Sequence, residues 1–283
     1  MQLRRFDHVQ DFWQTSQDYL RSHLAEHNLL IGIVQTLLHD PSHYSQPPYL
    51  AIVEDQGTLL AVAIRTSPYK LVLSKVQDLA ALKLIGQDLQ QQADQIPGVG
   101  GLVAEVAAFL PIWQGLTGQV YRRVMEMRIH QLMQVEPVAI AQGHLRLATA
   151  ADRPLLLDWF TDFAAEIGEV VSEGAEQMVE GGLKRQSIYV WDEGGAVCFA
   201  CGSPSLPMAA RIGPVYTPPE YRRRGYATAC VAALSQRLLD QGCHSCFLFT
   251  NSANPTSNRI YQAIGYRPVC GWHDYAFMAQ ETP

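Results

Sequence analysis

Apolar positions recur at helical spacing through the start of the chain. Val9, Phe12, Trp13, Ser16, Leu20 and Leu24 form one mostly apolar face, and Leu30, Ile33, Val34, Leu37 and Leu38 form a second, ending before Pro41. The pattern then changes to strands. Tyr49-Leu-Ala-Ile-Val-Glu and Leu59-Leu-Ala-Val-Ala-Ile flank a turn at Asp55-Gln-Gly57, which predicts a hairpin. Tyr69 to Ser74 reads as another strand, and Leu79, Leu82, Ile85 and Leu89 as a helix. Pro97-Gly-Val-Gly-Gly101 lacks a following phosphate-binding Lys or Arg and reads as a loop. A short strand at Leu102 to Glu105, a short helix through Trp113 and a strand from Tyr121 to Leu132 complete the first half.

Gln134 to Gly143, with Pro137, reads as a linker. A strand begins at His144, and Thr149 and Asp152 stand in capping positions for a helix carrying Leu155, Leu156, Trp159, Phe160 and Phe163. Glu173 to Leu183 predicts a weaker helix, interrupted by Gly181 and Gly182. Ser187 to Trp191 and Ala196 to Gly202 flank a turn at Asp192-Glu-Gly-Gly195, and Ala210 to Tyr216 is the next strand. Pro218 and Pro219 end its pairing. Gly225 opens a helix with Ala227, Cys230, Val231, Leu234 and Leu238 on one face, and Gly242 closes it. Cys246 to Thr250 is a buried strand. Asn254 and Pro255 then begin a last helix, which stops at Gly265.

The first half thus reads helix, helix, hairpin, strand, helix, strand, helix, strand, and the recurrence of this order in the second half suggests a diverged duplication. The expected fold class is α/β (α+β): a mixed, mostly antiparallel central sheet flanked by helices, in two tandem related domains at 1–133 and 144–283, joined by 134–143. The first half has no arginine-glycine element after its Tyr69–Ser74 strand, so a structural or substrate-shaping role is expected for it.

With 283 residues and 48% hydrophobic content, the chain can fill one large or two ordinary cores. A formal charge of -6 argues against nucleic acid as the general partner. No signal-peptide pattern and no run of eighteen apolar residues is visible, so a cytoplasmic protein without a membrane span is expected. All six cysteines, at 198, 201, 230, 243, 246 and 270, lie in the second half. Two pairs have C-x-x-C spacing within strand-like runs, where residues three apart face opposite ways. Buried thiols are expected there, and no metal. His23-Leu24-Ala25-Glu26-His27 fits an H-x-x-E-H string, but it lacks a third ligand in any recognisable motif, so chance explains it better.

Against the acidic background, Arg222, Arg223 and Arg224 precede a helix start whose N–H groups are unpaired and whose dipole favours an anion. Gly225 lets a bulky anion approach the backbone. One helix and one strand later, Asn254, Asn258 and Tyr261 share a face of the last helix.

Arg222-x-x-Gly225-x-Ala227 followed by Asn254-Pro-Thr-Ser-Asn258-x-x-Tyr261-x-x-Ile-Gly265-Tyr266 resembles the GNAT acetyltransferase superfamily, over about residues 144 to 279. The resemblance implies a GNAT-like fold and acetyl-CoA as cofactor. It implies a strand that splays from its neighbour, with Val215, Tyr216 and Thr217 along the pantetheine arm. Arg222, Arg223, Arg224, Gly225, Tyr226, Ala227 and Thr228 would hold the pyrophosphate, and Asn254, Asn258 and Tyr261 would line the cofactor. Tyr261 would give the leaving thiolate a hydrogen bond or proton, and a backbone N–H near Val215 would stabilise an oxyanion.

The implied activity is acetyl transfer to a primary amine on a small molecule or peptide, by direct attack on the thioester; a homodimer is compatible with it. The general base is not assigned. Glu166, Glu169 and Glu173 are candidates, and a water relay is another route. A non-catalytic acyl-CoA sensor is the alternative function. A phosphate-binding module using the arginines alone is disfavoured, because the G-x-x-x-x-G-K-[ST] string is missing.

Overall fold

The computed structural model describes residues 1–92, 96–168, 174–206 and 208–278. Its elements are β1 (Gln2–Arg5), α1 (Val9–Ser22), α2 (Leu24–His39), β2 (Tyr49–Asp55), β3 (Thr58–Arg65), β4 (Leu71–Leu73), α3 (Ala81–Gln91), β5 (Gly98–Leu102), α4 (Val103–Thr117) and β6 (Val120–Leu132). Beyond these come β7 (His144–Leu147), α5 (Arg153–Ile167), α6 (Gly174–Lys184), β8 (Ile188–Asp192), β9 (Ala196–Leu206), β10 (Ala209–Tyr216), α7 (Tyr226–Asp240), β11 (Ser245–Asn251), α8 (Pro255–Ile264) and β12 (Arg267–Met278).

The chain packs as two compact units. The first comprises Met1–Ile129, Thr250–Ala253 and the chain from Pro268 on; the second comprises His130–Phe249 and Asn254–Arg267. This division differs at three places from one drawn along the sequence at 144: residues 130–143 join the second unit, and Thr250–Ala253 and the stretch from Pro268 join the first. The stretch 134–143 is tied to the second unit, where Glu136 N–H donates to the Ile264 carbonyl at 2.8 Å and Trp191 Nε1–H donates to the Gln142 carbonyl at 2.8 Å. The last strand, β12, pairs with β5 of the first unit.

In the first unit the strands run β1-β2-β3-β4-β5-β12-β6. The β1/β2, β2/β3, β3/β4 and β5/β12 pairs are antiparallel, and β4/β5 is parallel. Tyr49, Ala51, Val53, Ala61, Ala63 and Leu73 form one buried face against α3 and α4, which contribute Leu82, Ile85, Phe109 and Trp113. Strand alternation makes this face from every second residue. Asp274 on β12 is buried and accepts from Lys70 Nζ at 2.6 Å and from Trp272 Nε1 at 2.9 Å.

Three elements depart from the sequence reading. The stretch read as a strand at Leu102 to Glu105 is the end of β5 and the first turn of α4. The glycine run at 98–101 is not a loop but the buried strand β5. A Cβ at Gly98 would stand 2.0 Å from the Tyr275 carbonyl oxygen, and one at Gly100 would stand 2.4 Å from Asp274 Oδ1. The glycines are there because β12 lies that close, a use of strand glycine that periodicity does not reveal. β1 carries two arginines in four residues and is exposed everywhere but at Leu3, so it shows no apolar alternation. Pairing with β2 defines it.

In the second unit the order is β11-β10-β9-β8-β7, antiparallel except for β10/β11. Two cores cover its faces. Ile188, Val190, Phe199 and Tyr216 pack with Leu156, Trp159 and Phe160 of α5 and Val179 of α6. Trp191, Cys198, Ala200, Ile212 and Leu248 pack with Tyr226, Cys230, Leu234 and Leu238 of α7. Thr149 stands at the turn into α5 as expected, and there the Asp152 carboxylate does the capping: Oδ2 accepts the Thr149 N–H at 2.7 Å and its hydroxyl at 3.0 Å. The Arg146 guanidinium donates to both Asp152 oxygens and holds that carboxyl down at about 2.

The C-x-x-C pair on β9 behaves as strand geometry requires. Cys198 lies in the α7 core and Cys201 packs against the opposite one. All six cysteines are free thiols. Among the described residues no cluster of His, Cys, Asp or Glu could hold a metal ion, and no helix is long and apolar enough to cross a membrane.

Candidate functional site

The site of interest begins where two parallel strands part. β10 and β11 are in register at Ala209/Ser245, Ala210/Cys246 and Arg211/Phe247, and no later pair is formed, although both strands continue. The cause lies on the other edge of β10. Between Ile212/Gly202 and Val215/Ala200 the β9 ladder shifts register, so Gly213 and Pro214 form a bulge. A bulge bends its strand and re-aims the residues beyond it, and here Val215, Tyr216 and Thr217 diverge from β11.

The chain then turns sharply. Pro218 begins a short 3-10 turn at Pro219–Tyr221, after which Arg223 (φ 63°) and Gly225 (φ 81°) both adopt left-handed conformations. Gly225 is the N-cap of α7 and carries no side-chain cap. A Cβ there would meet only the Ala141 methyl, at 3.9 Å, so the space over the helix start is open. The amides of Tyr226, Ala227 and Thr228 have no carbonyl one turn earlier to receive them. These three residues and the exposed Gly225 form a concentrated set of donors at a helix N-terminus.

The three arginines differ in their placement. Arg222 is engaged: Nε donates to the Thr217 carbonyl at 2.9 Å, Nη2 donates to Glu166 Oε1 at 2.5 Å, and the guanidinium lies 5.7 Å from the Tyr216 ring centre. Arg223 and Arg224 are exposed. Tyr226 roots the first turn of α7 in the core and donates its hydroxyl to Glu193 in the β8–β9 turn. That bond pushes the phenol's pKa up, with Arg224 nearby acting the other way. The Thr217 hydroxyl is buried without a hydrogen-bond partner.

α8 supplies the rest. Asn254 is its N-cap, and its Oδ1 accepts from Ser257 N–H at 3.1 Å, with Pro255 in the first turn. Asn258 is half-buried on the same face. Tyr261 packs on the α7 core with its ring 6.0 Å from that of Tyr266. Burial, with Cys198 and Cys230 close by, raises the Tyr261 phenol well above its ordinary range. It therefore keeps its proton at any physiological pH. All thirteen residues singled out in the sequence lie on β10, on the turn after it, on the start of α7 or on α8.

Of the candidate bases, Glu166 forms the ion pair with Arg222, while Glu169 and Glu173 lie outside the described residues. The sequence reading missed Glu193 and Ala141. Both reach the loop from far along the chain, and neither stands in a motif.

Residues 155–266 match the model of the Acetyltransferase (GNAT) family. No curated protein matches the sequence. Among solved structures, an acetyltransferase from the GNAT family of Colwellia psychrerythraea is 14% identical, covering 99% of this chain and 100% of its own with a TM-score of 0.60. A Drosophila protein is 11% identical over 98% of each chain, with a TM-score of 0.68. A tandem GNAT protein from the clavulanic acid biosynthesis pathway is 12% identical, covering 99% of this chain and 100% of its own at a TM-score of 0.59. At such identities the likeness is one of fold, and it spans both halves of the chain.

Proposed function

We propose, because residues 155–266 match the model of the Acetyltransferase (GNAT) family, that the protein is an acyltransferase that uses acetyl-CoA to acetylate a primary amine. One observation carries the reading: an uncapped helix start behind a left-handed glycine stands beside a strand that has parted from its parallel neighbour. The first feature suits a pyrophosphate and the second an extended arm with amide groups. Acetyl-CoA supplies an activated acyl thioester; binding, orientation and proton placement fall to the protein.

In this reading the amides of Gly225 to Thr228, with Arg223 and Arg224, hold the pyrophosphate. The Val215–Thr217 edge and its orphan Thr217 hydroxyl face the pantetheine arm, with Asn254 and Asn258 on the opposite wall. A β10 N–H near Val215 serves charge developing on the acyl oxygen, where a fixed donor costs no reorganisation. Tyr261 stays protonated and offers its hydroxyl to the departing sulfur. Proton removal from the amine is left to solvent or to a group of the acceptor site, since Glu166 is held by Arg222.

Calorimetric titration with acetyl-CoA, for wild type and Gly225→Glu, tests the proposal. The substitution puts bulk and negative charge at an open position of φ 81°. Binding by wild type and none by a folded variant is the expected result, and folded wild type that binds neither acetyl-CoA nor CoA overturns it. Binding without turnover across a panel of amines would instead favour an acyl-CoA sensor.

A further inference from the structure

We infer that Arg222 is a brace for the cofactor loop rather than a phosphate ligand, and that Glu166 is the positioning residue that holds it. The inference rests on the proposed acetyl-CoA site and deepens it. Three contacts hold the Arg222 guanidinium, and two of them commit its N–H donors to protein oxygens. Nε donates to the Thr217 carbonyl at 2.9 Å, which closes the loop between residues 217 and 222 on itself. Nη2 donates to Glu166 Oε1 at 2.5 Å, which ties the loop to the C-terminal turn of α5. The guanidinium carbon lies 5.7 Å from the centre of the Tyr216 ring, at the end of the splayed strand.

A guanidinium presents its donors in a rigid planar fork, so one residue can hold these three directions together, whereas an ammonium cannot. The carboxylate also neutralises the charge. An arginine paired at 2.5 Å adds far less field at the helix start than its exposed neighbours Arg223 and Arg224. The labour is thereby divided: Arg223 and Arg224 supply charge, while Arg222 and Glu166 supply shape. Glu166 is removed from the list of bases, because its nearer oxygen is committed to the loop.

The test is a double-mutant cycle on acetyl-CoA affinity with Glu166→Gln, Arg222→Gln and the double variant, each titrated at several salt concentrations. The pair is half exposed, so each single change is expected to weaken binding by about three- to fivefold. The double variant should be no weaker than either single one. The slope of affinity against salt should change less with Arg222→Gln than with Arg223→Gln or Arg224→Gln, since direct contacts to an anionic ligand dominate that slope. A structural defect alone would not separate the arginines in this way.

If Glu166→Gln leaves binding unchanged or tightens it while Arg222→Gln weakens it and flattens the salt slope, Arg222 is a phosphate ligand and the brace is overturned, with the acetyl-CoA site intact. If wild type binds neither acetyl-CoA nor CoA, the functional reading itself fails, and the brace loses its role with it.

Discussion

The buried imidazole of His27 accepts the backbone N–H of Lys75 through Nε2 at 3.0 Å. One residue on, Glu105 Oε1 accepts the N–H of Val76 at 3.2 Å. These two amides come just after β4, which stands in the first unit where β10 stands in the second: parallel to the next strand and leading towards a helix. In the second unit the strand leaves its partner and continues into an open turn. In the first, the His27 and Glu105 side chains take up the amides that follow the strand. The start of α3 is also filled, since Asp78 Oδ1 accepts the N–H of Ala80 at 2.8 Å and places a carboxylate where an anion would otherwise sit. One scheme is therefore used twice, once with its donors offered and once with them satisfied.

His27 makes the first unit sensitive to acid. Burial lowers its pKa from 6.5 to about 4, although Nδ1 lies 3.0 Å from the Leu20 carbonyl. The unfolded chain thus binds a proton that the folded one refuses. The contribution to stability is complete above about pH 6.5, declines as pH falls and is gone below about pH 4. A shift of this size corresponds to roughly 3 kcal/mol. Denaturant unfolding of wild type and His27→Gln between pH 4 and 8 checks it: the difference in stability should grow in favour of the variant as pH falls across that window. Parallel curves would rule the imidazole out.

Tyr261 separates catalysis from packing. No hydrogen bond to its hydroxyl is present among the described residues, so Tyr261→Phe removes a donor without orphaning a partner. Stability should change by less than about 0.5 kcal/mol, and acetyl-CoA affinity should stay within about twofold. Turnover of any amine substrate should fall by about 10²- to 10⁴-fold, the span of general acid catalysis. Steady-state rates beside thermal melts decide the matter, and an unchanged rate would leave Tyr261 as a packing residue.

Asn254 has a cap to lose whatever else it touches. Its Oδ1 accepts from Ser257 N–H at 3.1 Å, and replacing such a cap by alanine costs about 1 kcal/mol. Asn254→Ala should lower the unfolding free energy by that amount, while Asn254→Asp should keep it. If Asn254→Asp weakens acetyl-CoA binding more than Asn254→Ala does, a carboxylate repels the ligand there, and the residue also lines the cofactor wall.

The sequence made the second unit's site legible because the chemistry is local. Arg222, Gly225 and Ala227 form the turn and helix start within six residues, and Asn254, Asn258 and Tyr261 share one helix face. The features it left hidden depend on partners distant in sequence. Glu166 meets Arg222 across 56 positions and Glu193 meets Tyr226 across 33, and nothing in either neighbourhood marks them. The same holds for the fold. Helices and hairpins can be read from periodicity, whereas β1 exists because β2 pairs with it and β5 because β12 lies against it.

β5 yields the sharpest structural prediction. At Gly98 and Gly100 β12 occupies the space a side chain would need: a Cβ on Gly98 would lie 2.0 Å from the Tyr275 carbonyl oxygen, far inside contact distance. The obstacle is backbone and cannot rotate away, so Gly98→Ala must displace one strand from the other. The pairs at risk are Gly98/Ala276 and Val99/Tyr275, and next to them the buried Asp274 with its bonds from Lys70 and Trp272. A loss of about 3 kcal/mol is expected, at the upper end for overpacking. Gly115→Ala is the control, since nothing stands within 4 Å of a Cβ there and alanine suits a helix better. It should be neutral or slightly stabilising. Urea unfolding of the two variants measures the contrast. If Gly98→Ala proved as stable as Gly115→Ala, β12 would not lie against β5 as closely as the glycines indicate.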